Sequence, residues 1–399
     1  MSSRFQLYNL IKLENADNRV DFLDGYRGTL ALWVFLQHCN YVAKFGGDFS
    51  YFDYPGYCIG VIGFFILSSY LLTYRLLVEI NKTDSNKNTL LILIKYIIRR
   101  LFRVYIPFLI ICSLIKFVSN EFGGPFDWDS FSWYQLVFLN ESAGSHLWTI
   151  APEVKYYLFI PVYAYVANKM NKSLALKWTW FLMNIIFLFV VEYFSLFNEF
   201  DSGGNFKRAN SSFLTRFTTF YLGSFLAFIL YNVHEMEIYK KSTNKINVRA
   251  SLGTMALMMY LYGMVLFSQK LTPSLKGGAH FFLSGLYWTF FMLIFILSQE
   301  NYFTGFFNGR FWYFYGKFSF GFYLAHMGII GYFYKHYNDT VKLKMEIVFY
   351  SFVCSFIAGC LFYYLIEKPL MKIANTLCYL ISDSKFFSFL IDEKFYKII

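Results

Sequence analysis

Apolar runs of about twenty residues recur along the chain, and no other feature limits its fold so strongly. They cover residues 23–43, 57–79, 92–119, 147–167, 175–197, 213–232, 250–268, 281–299, 312–335 and 345–366. A helix needs about 20 apolar residues to cross the hydrocarbon core of a bilayer. The runs therefore predict an all-α, multi-pass membrane bundle of about ten transmembrane helices. One membrane domain is expected over residues 23–369, between an N-terminal segment, 1–22, and a tail, 370–399.

The composition excludes an ordinary soluble globule. Of 399 residues, 57% are hydrophobic, 23% are aromatic and only 15% are charged, whereas soluble domains carry about 25% charged residues. Residues 1–22 are polar and lack the apolar core of a cleavable signal peptide, so the first run is expected to be retained. The six cysteines have no metal-like spacing, and we predict neither a disulfide nor a metal site.

The basic residues predict the orientation of the bundle. Lys and Arg, which give a net charge of +11, lie in loops between apolar runs rather than on one soluble face. Nucleic acid is therefore not an expected partner, and membrane topology explains the charge better. Segment 119–146 contains four acidic residues and no Lys or Arg. Both termini are predicted to be cytoplasmic, in a plasma (inner) membrane or an endomembrane, with the tail as an amphipathic segment against the membrane lipid.

The first run carries Arg27 and His38. Eleven helical positions make three turns with about 20° left over, so both residues share a face and stand about 16 Å apart along the axis. With Arg27 at a membrane surface, His38 lies near the middle of the bilayer, where an ionisable group is a candidate for function. The alternative is a histidine that only bonds to a neighbouring helix.

Charged residues within the other runs need partners at membrane depth. The cations in or beside the runs are Arg27, Lys116, Lys155, Arg216 and Lys317, and the acidic candidates for pairing are Glu153 and Glu192. Glu153 follows Pro152 at the start of the fourth run. It could orient an imidazole for acid–base catalysis, or it could pair with Lys155 or with the helix dipole.

Arg100 and Arg103 open the third run with i, i+3 spacing. Guanidinium groups fit phosphate oxygens, which makes this pair a candidate clamp for a phosphorylated ligand. A cluster that only fixes topology is the alternative.

In the second run, small residues that include Ser68 and Ser69 would let a helix or a ligand approach the backbone, and helix packing is the favoured use.

Six blocks, taken together and in order, resemble the acyltransferase 3 family over about residues 20 to 370. They are Leu23-Asp24-Gly25-Tyr26-Arg27-Gly28 with His38, Gly63-Phe64-Phe65-Ile66-Leu67-Ser68, Arg99-Arg100-Leu101-Phe102-Arg103-Val104-Tyr105, Leu147-Trp148-Thr149 with Glu153, Tyr315-Gly316-Lys317 through Ala325-His326, and Leu365-Ile366-Glu367-Lys368-Pro369. The chain departs from the family pattern at Ser69, where Gly is usual, and at Val154, where a second acid is common.

The resemblance implies an enzyme that transfers acyl groups other than aminoacyl groups from acyl-CoA to a hydroxyl of a carbohydrate or lipid-linked acceptor. Acetyl is the expected acyl group, so the reaction would be an O-acetylation that modifies a carbohydrate. The implied catalytic residues are His38, as base, with Glu153 and Arg27. Arg100, Arg103 and Ser68 are the candidates for binding the donor, and Lys317 and His326 are secondary candidates. A non-enzymatic transporter of lipid or small molecules on the same bundle is the alternative function.

Overall fold

A computed structural model describes residues 21–43, 60–83, 86–122, 146–199, 213–236, 246–266, 278–299, 301–337 and 341–383. Every regular element in these ranges is helical. The α-helices are α1 (Asp21–Ala43), α2 (Gly63–Asn81), α3 (Asn86–Arg100), α4 (Ile106–Phe122), α5 (Ile150–Met170), α6 (Leu174–Glu199), α7 (Phe213–Glu235), α8 (Ile246–Leu266), α9 (Gly278–Leu297), α10 (Tyr302–Phe307), α11 (Arg310–Tyr337), α12 (Val341–Phe362) and α13 (Lys368–Asp383).

The all-helical prediction is confirmed, and each predicted run falls on described helix apart from a few residues at the ends of runs. Four helical stretches are long and apolar enough to cross a membrane by length and composition: Gly60–Asn81, Leu174–Ser195, Ile246–Leu266 and Glu346–Ser382. The number of crossings therefore stays a prediction. The predicted N-terminal segment lies outside the described residues, and of the tail α13 is described as far as Asp383.

Two helical stretches are interrupted by single π-helical turns, which the run pattern did not predict. One turn, Leu101–Tyr105, joins α3 to α4, and the other, Tyr363–Glu367, joins α12 to α13. Each turn lies just before a proline, Pro107 and Pro369. A proline ring in a helix clashes with the carbonyl four residues earlier, which here belongs to a residue of the π turn. The wider turn relieves this clash without ending the helix.

Helices α1 and α11 run parallel and cross at glycines. A Cβ atom built on Gly316 would lie 1.8 Å from the carbonyl oxygen of Asp24, and one on Gly28 would lie 3.0 Å from the backbone nitrogen of Gly316. Only glycine allows the two backbones to come this close. His38 and His326 each stand ten residues beyond this crossing, about 15 Å along their helices.

Helix α2 lies between α1, α5 and α7. It is antiparallel to α1, because a Cβ on Gly60 would meet Val34 and one on Gly63 would meet Leu30. On another face, Ser69 donates a hydrogen bond to the Phe65 carbonyl and packs against Gly223 of α7. Ser69 is thus fully buried in a helix contact, which agrees with the packing role favoured for the small residues of this run.

Candidate active site

One cavity of about 650 Å³ opens between α1, α2, α5, α11 and the two π-helical turns. Ten charged residues line it: Asp24, Arg27, Arg75, Glu79, Lys82, Arg100, Arg103, Glu153, Lys317 and Glu367. Its volume lies within the range of about 300–1,000 Å³ that is typical of small-molecule sites. Six of the predicted site residues line this cavity together: Arg27, Ser68, Arg100, Arg103, Glu153 and Lys317.

Four of these cations form a cluster, defined here as Arg27, Arg100, Arg103 and Lys317. Arg27 Nη1 lies 2.8 Å from Asp24 Oδ1, and Arg103 Nε lies 3.7 Å from Glu367 Oε1. In the described part of the chain, no carboxylate lies within salt-bridge distance of Arg100. The buried Nε of Arg100 also finds no acceptor there. A buried guanidinium donor without an acceptor is costly, so the cluster is suited to receive an anionic ligand.

The two π turns explain how Arg103 and Glu367 meet. Arg103 lies in the turn before α4, and Glu367 ends the turn before α13. Nearby, the Lys317 ammonium lies 5.0 Å from the centre of the Tyr363 ring, which also belongs to a π turn. Such single turns occur frequently at functional sites because they turn side chains out of α-helical register.

Glu153 is surrounded by hydroxyl groups rather than by an imidazole. Ser68 Oγ donates to Glu153 Oε1 over 2.9 Å, the Tyr157 hydroxyl donates to the same oxygen, and the two hydroxyl oxygens are 3.3 Å apart. Arg27 and Arg100 are near enough to act on the carboxylate electrostatically. A contact with an imidazole, one of the alternatives that the sequence left open for Glu153, is not among its hydrogen bonds in the described residues, and the carboxylate lies beside Arg27 and Arg100 of the cation cluster. Tyr157 was missed, although its i+4 spacing from Glu153 was a usable signal.

Three histidines form a second group, the histidine cluster of His38, His146 and His326. Their ring centroids are 4.9–6.1 Å apart. His38 Nδ1 lies 2.7 Å from His326 Nε2. His326 Nδ1 and His146 Nε2 lie 2.6 Å and 3.1 Å from the Tyr323 carbonyl oxygen. No group of His, Cys, Asp and Glu in the described residues has the arrangement of a metal site.

These contacts assign the tautomer of each neutral ring. A carbonyl oxygen only accepts hydrogen bonds, so His326 Nδ1 carries a proton and His326 Nε2 is an acceptor. His38 must then donate from Nδ1 to His326. The remaining nitrogen of His38, Nε2, keeps its lone pair, which is the form that a general base requires. His326 therefore orients His38, whereas sequence analysis had given it only as a secondary candidate.

The histidine cluster lies behind the wall of the cavity. None of its three members is among the residues that line the cavity, but Tyr323 lines it and contacts His146 and His326. The Tyr323 hydroxyl donates to the His146 carbonyl, and Thr149 Oγ1 lies 2.7 Å from the Tyr323 hydroxyl. One tyrosine side chain thus stands between the cavity and the imidazoles. Its role and that of His146 were not predicted, because no spacing along the chain connects residues 146 and 323.

The remaining sequence candidates lie elsewhere. Glu192 accepts a hydrogen bond from Thr218 over 3.0 Å, and the Arg216 guanidinium lies 5.5 Å from the centre of the Trp148 ring. The side chain of Lys116 lies outside the described residues. Val154, one of the two departures from the family pattern, is buried in the apolar core. Like Ser69, it is not among the described residues that line the cavity.

Comparison with known proteins gives one family match. The model of the "Acyltransferase domain" family matches residues 20–371. Proteins of Staphylococcus aureus strains COL and N315, each named "Putative O-acetyltransferase", are 24% identical over 374 residues. Their alignments cover 88% of this chain but only 57% of each relative, so the chain spans just over half of their length.

A Haemophilus influenzae protein without a described function is also similar, at 25% identity over 224 residues. That alignment covers 50% of this chain and 85% of the relative. No solved structure gives a significant match.

Proposed function

The chain belongs to the acyltransferase family whose domain model spans residues 20–371, and from this we propose that it is a membrane O-acyltransferase with an acyl-CoA donor. Acetyl-CoA is the proposed donor, and a hydroxyl of a carbohydrate or lipid-linked molecule is the proposed acceptor. The observation that carries the proposal is a cavity that is lined by the cation cluster and bounded by Tyr323, behind which His38 is held in its basic tautomer.

In this proposal the chain crosses the membrane ten times, with residues 1–22 and 370–399 on the cytoplasmic side. The cation cluster then faces the cytoplasm, where CoA is made, and the histidine cluster lies deeper. The acceptor hydroxyl approaches from the opposite side. The excess of Lys and Arg in the loops of the proposed cytoplasmic side supports this orientation.

The dimensions of the donor fit the separation of the two clusters. His38 stands eleven residues beyond Arg27 on α1, about 16 Å along the axis. About a dozen bonds separate the CoA sulfur from the phosphorus that is attached to the pantetheine arm. An extended chain covers about 3.3–3.6 Å for every three backbone bonds, so the arm spans about 15 Å. Phosphates held by Arg100 and Lys317 would therefore bring the thioester to the level of His38.

In the proposed reaction, His38 Nε2 takes the proton of the acceptor hydroxyl while that oxygen attacks the thioester carbonyl. The new C–O bond forms, the C–S bond breaks, and the sulfur leaves with the proton that His38 returns to it. His326 stabilises the imidazolium of His38 by accepting its Nδ1–H. Tyr323 holds His326 through its carbonyl oxygen.

Glu153 and Ser68 act on the donor side in this proposal. The hydroxyls of Ser68 and Tyr157 fix the Glu153 carboxylate near Arg27 and Arg100. A carboxylate held there keeps the guanidinium groups in place before the phosphates arrive. Arg27, paired with Asp24, belongs to the same side and lies too far from His38 for direct contact.

The test is turnover of radiolabelled acetyl-CoA by the protein in lipid nanodiscs, with membrane glycans and lipid-linked sugars as acceptors. His38→Gln should abolish acyl transfer while CoA binding remains. His336→Gln is the matched control, because His336 is an exposed histidine at the end of α11. Arg100→Gln should raise the KM for acetyl-CoA by about tenfold or more, because a hydrogen bond to a charged group contributes about 1.5–3 kcal/mol.

Arg99→Gln is the control for Arg100, since Arg99 is its neighbour on α3 and is not among the described residues that line the cavity. Equal turnover by wild type and His38→Gln would remove His38 from the chemistry. No turnover by wild type with any acceptor or acyl chain would instead favour the transporter.

A further inference from the structure

Part of the cavity is not used by the reaction described above. It lies between the start of α1, the middle and C-terminal part of α2 and the ends of α7 and α9, and we call it the aromatic branch. Its residues are apolar or aromatic apart from one histidine: Phe22, Leu23, Tyr70, Leu71, Tyr74, Val78, His234 and Ile296.

Two tyrosines and the histidine give this branch a defined shape. The rings of Tyr70 and Tyr74 have centroids 5.7 Å apart. The Tyr74 hydroxyl lies 3.0 Å from His234 Nδ1 on α7, and this hydrogen bond fixes the orientation of the Tyr74 ring. Tyr70 and His234 are buried, whereas Tyr74 is only half-buried. The branch thus has aromatic side chains, one of them half-buried, in a cavity with apolar walls.

Two exposed cations line the cavity beside the aromatic branch. Arg75 lies level with Tyr74, about 10 Å beyond Ser68 along α2, and Lys82 lies at the outer end, about 21 Å beyond Ser68. Arg75 is already paired with Glu79, at 2.9 Å. Lys82 lies at the C-terminal end of the helix. The branch therefore combines a ring surface with positive charge at its outer end.

We propose that the aromatic branch binds the nucleoside of the donor, with the purine ring against Tyr74 and the sugar phosphate near Lys82. The inference rests on the proposed acyl-CoA donor. If the cation cluster holds the diphosphate and the arm extends from there toward His38, the nucleoside must extend in the opposite direction along α2. Purine rings stack on aromatic side chains, and this contact tolerates a wide range of geometries.

The experiment compares acetyl-CoA with S-acetyl-4′-phosphopantetheine, which keeps the arm and one phosphate of the diphosphate and lacks the nucleoside with its phosphates. Wild type in nanodiscs should show a KM at least fivefold higher for the truncated donor. Tyr74→Ala should raise the KM for acetyl-CoA by at least about fivefold, the lower limit expected for loss of one base-stacking contact. Its kcat should be unchanged, and its KM for the truncated donor should stay within twofold of wild type.

Tyr74→Phe is the matched variant, because it keeps the ring and loses only the hydroxyl that reaches His234. Its KM for acetyl-CoA should lie closer to that of wild type than the KM of Tyr74→Ala does, because the stacking surface remains. Equal KM values of wild type for the two donors would overturn the proposal without any variant. If Tyr74→Ala raised the KM equally for both donors, the proposal would be overturned too, because Tyr74 would then support the structure of the whole site.

Equilibrium binding separates this proposal from the proposed function. The Kd values of CoA and of 4′-phosphopantetheine can be measured by calorimetry even if no acyl transfer is found. Tighter binding of CoA that Tyr74→Ala removes would support the nucleoside site alone. Equal Kd values would reject this site while the acyl-transfer reaction is judged by the His38→Gln assay.

Discussion

Because α1 and α11 cross at glycine, the single methyl group added by Gly316→Ala should strongly lower the free energy of unfolding. The new Cβ would lie 1.8 Å from the Asp24 carbonyl oxygen, whereas real contacts of this kind stay above about 3.0 Å. The helices must separate by at least 1.2 Å, the difference between these distances. The atom in the way belongs to the backbone, so no change of side-chain rotamer removes the clash. We therefore expect the free energy of unfolding to fall by about 3 kcal/mol, the upper end of the range for overpacked cores.

The same shift should reach the histidine cluster. If α1 and α11 separate as rigid helices, the 2.7 Å contact between His38 and His326 lengthens to about 3.9 Å and is no longer a hydrogen bond. Acyl transfer should therefore fall in the fraction that still folds.

The assay is unfolding in mixed detergent micelles together with acetyl transfer in nanodiscs. Gly328→Ala is the matched control on the same helix, because no described atom lies within 4 Å of its added Cβ. It should be neutral or should stabilise by up to about 1 kcal/mol, since Gly is the poorer helix former. A Gly316→Ala protein as stable and as active as Gly328→Ala would refute the reasoning.

Four further substitutions are tested by the same two measurements. Ser355 is fully buried and its hydroxyl has no hydrogen-bond partner in the described structure, so Ser355→Ala should leave the free energy of unfolding unchanged or raise it by up to about 1 kcal/mol. Ser224→Ala should instead lower it by about 1–2 kcal/mol, because that hydroxyl has two partners, and equal effects of the two substitutions would contradict this difference. Asn184 accepts hydrogen bonds from two buried tyrosine hydroxyls. Asn184→Ala should lower the free energy of unfolding by about 2–5 kcal/mol and leave the KM of the folded protein for acetyl-CoA unchanged. A changed KM would contradict a purely structural role for Asn184. His326→Gln should lower kcat by at least about tenfold with little change in the KM for acetyl-CoA, because it removes the group that fixes the tautomer of His38, and an unchanged kcat would exclude that role.

The helices were predictable because a long apolar run is a property of a single segment. Local spacing also predicted that Arg100 and Arg103 would face the same space. The partners of Glu153 and His38 depend instead on which helices are neighbours and at which level they meet. Ser68 lies eight residues beyond Gly60, which directly precedes α2 and is level with Val34. Ser68 and Glu153 therefore lie about 18 Å from His38 along the bundle, which separates the carboxylate from the imidazole.

The π turns show a different reason for incomplete prediction. Pro107 and Pro369 are visible in the sequence, and each predicts a clash with the carbonyl four residues earlier. A clash of this kind can be relieved by a kink, by the end of the helix or by a wider turn. Which of the three occurs cannot be predicted from the proline alone. The structure has a wider turn in both cases. This choice turns Arg103 and Glu367 toward each other in the cavity.

A single helix sets the distance between the two parts of the candidate site. Arg27 near one end of α1 belongs to the cation cluster, and His38 near the other end belongs to the histidine cluster, so the rise of the helix fixes their separation at about 16 Å. Helix α11 repeats this arrangement in parallel, with Lys317 beside the glycine crossing and His326 ten residues beyond Gly316. Because the two helices are locked at glycine, neither can slide without moving both clusters. The proposed donor, with an arm of about 15 Å, would therefore span the distance that these two helices set between the cation cluster and His38.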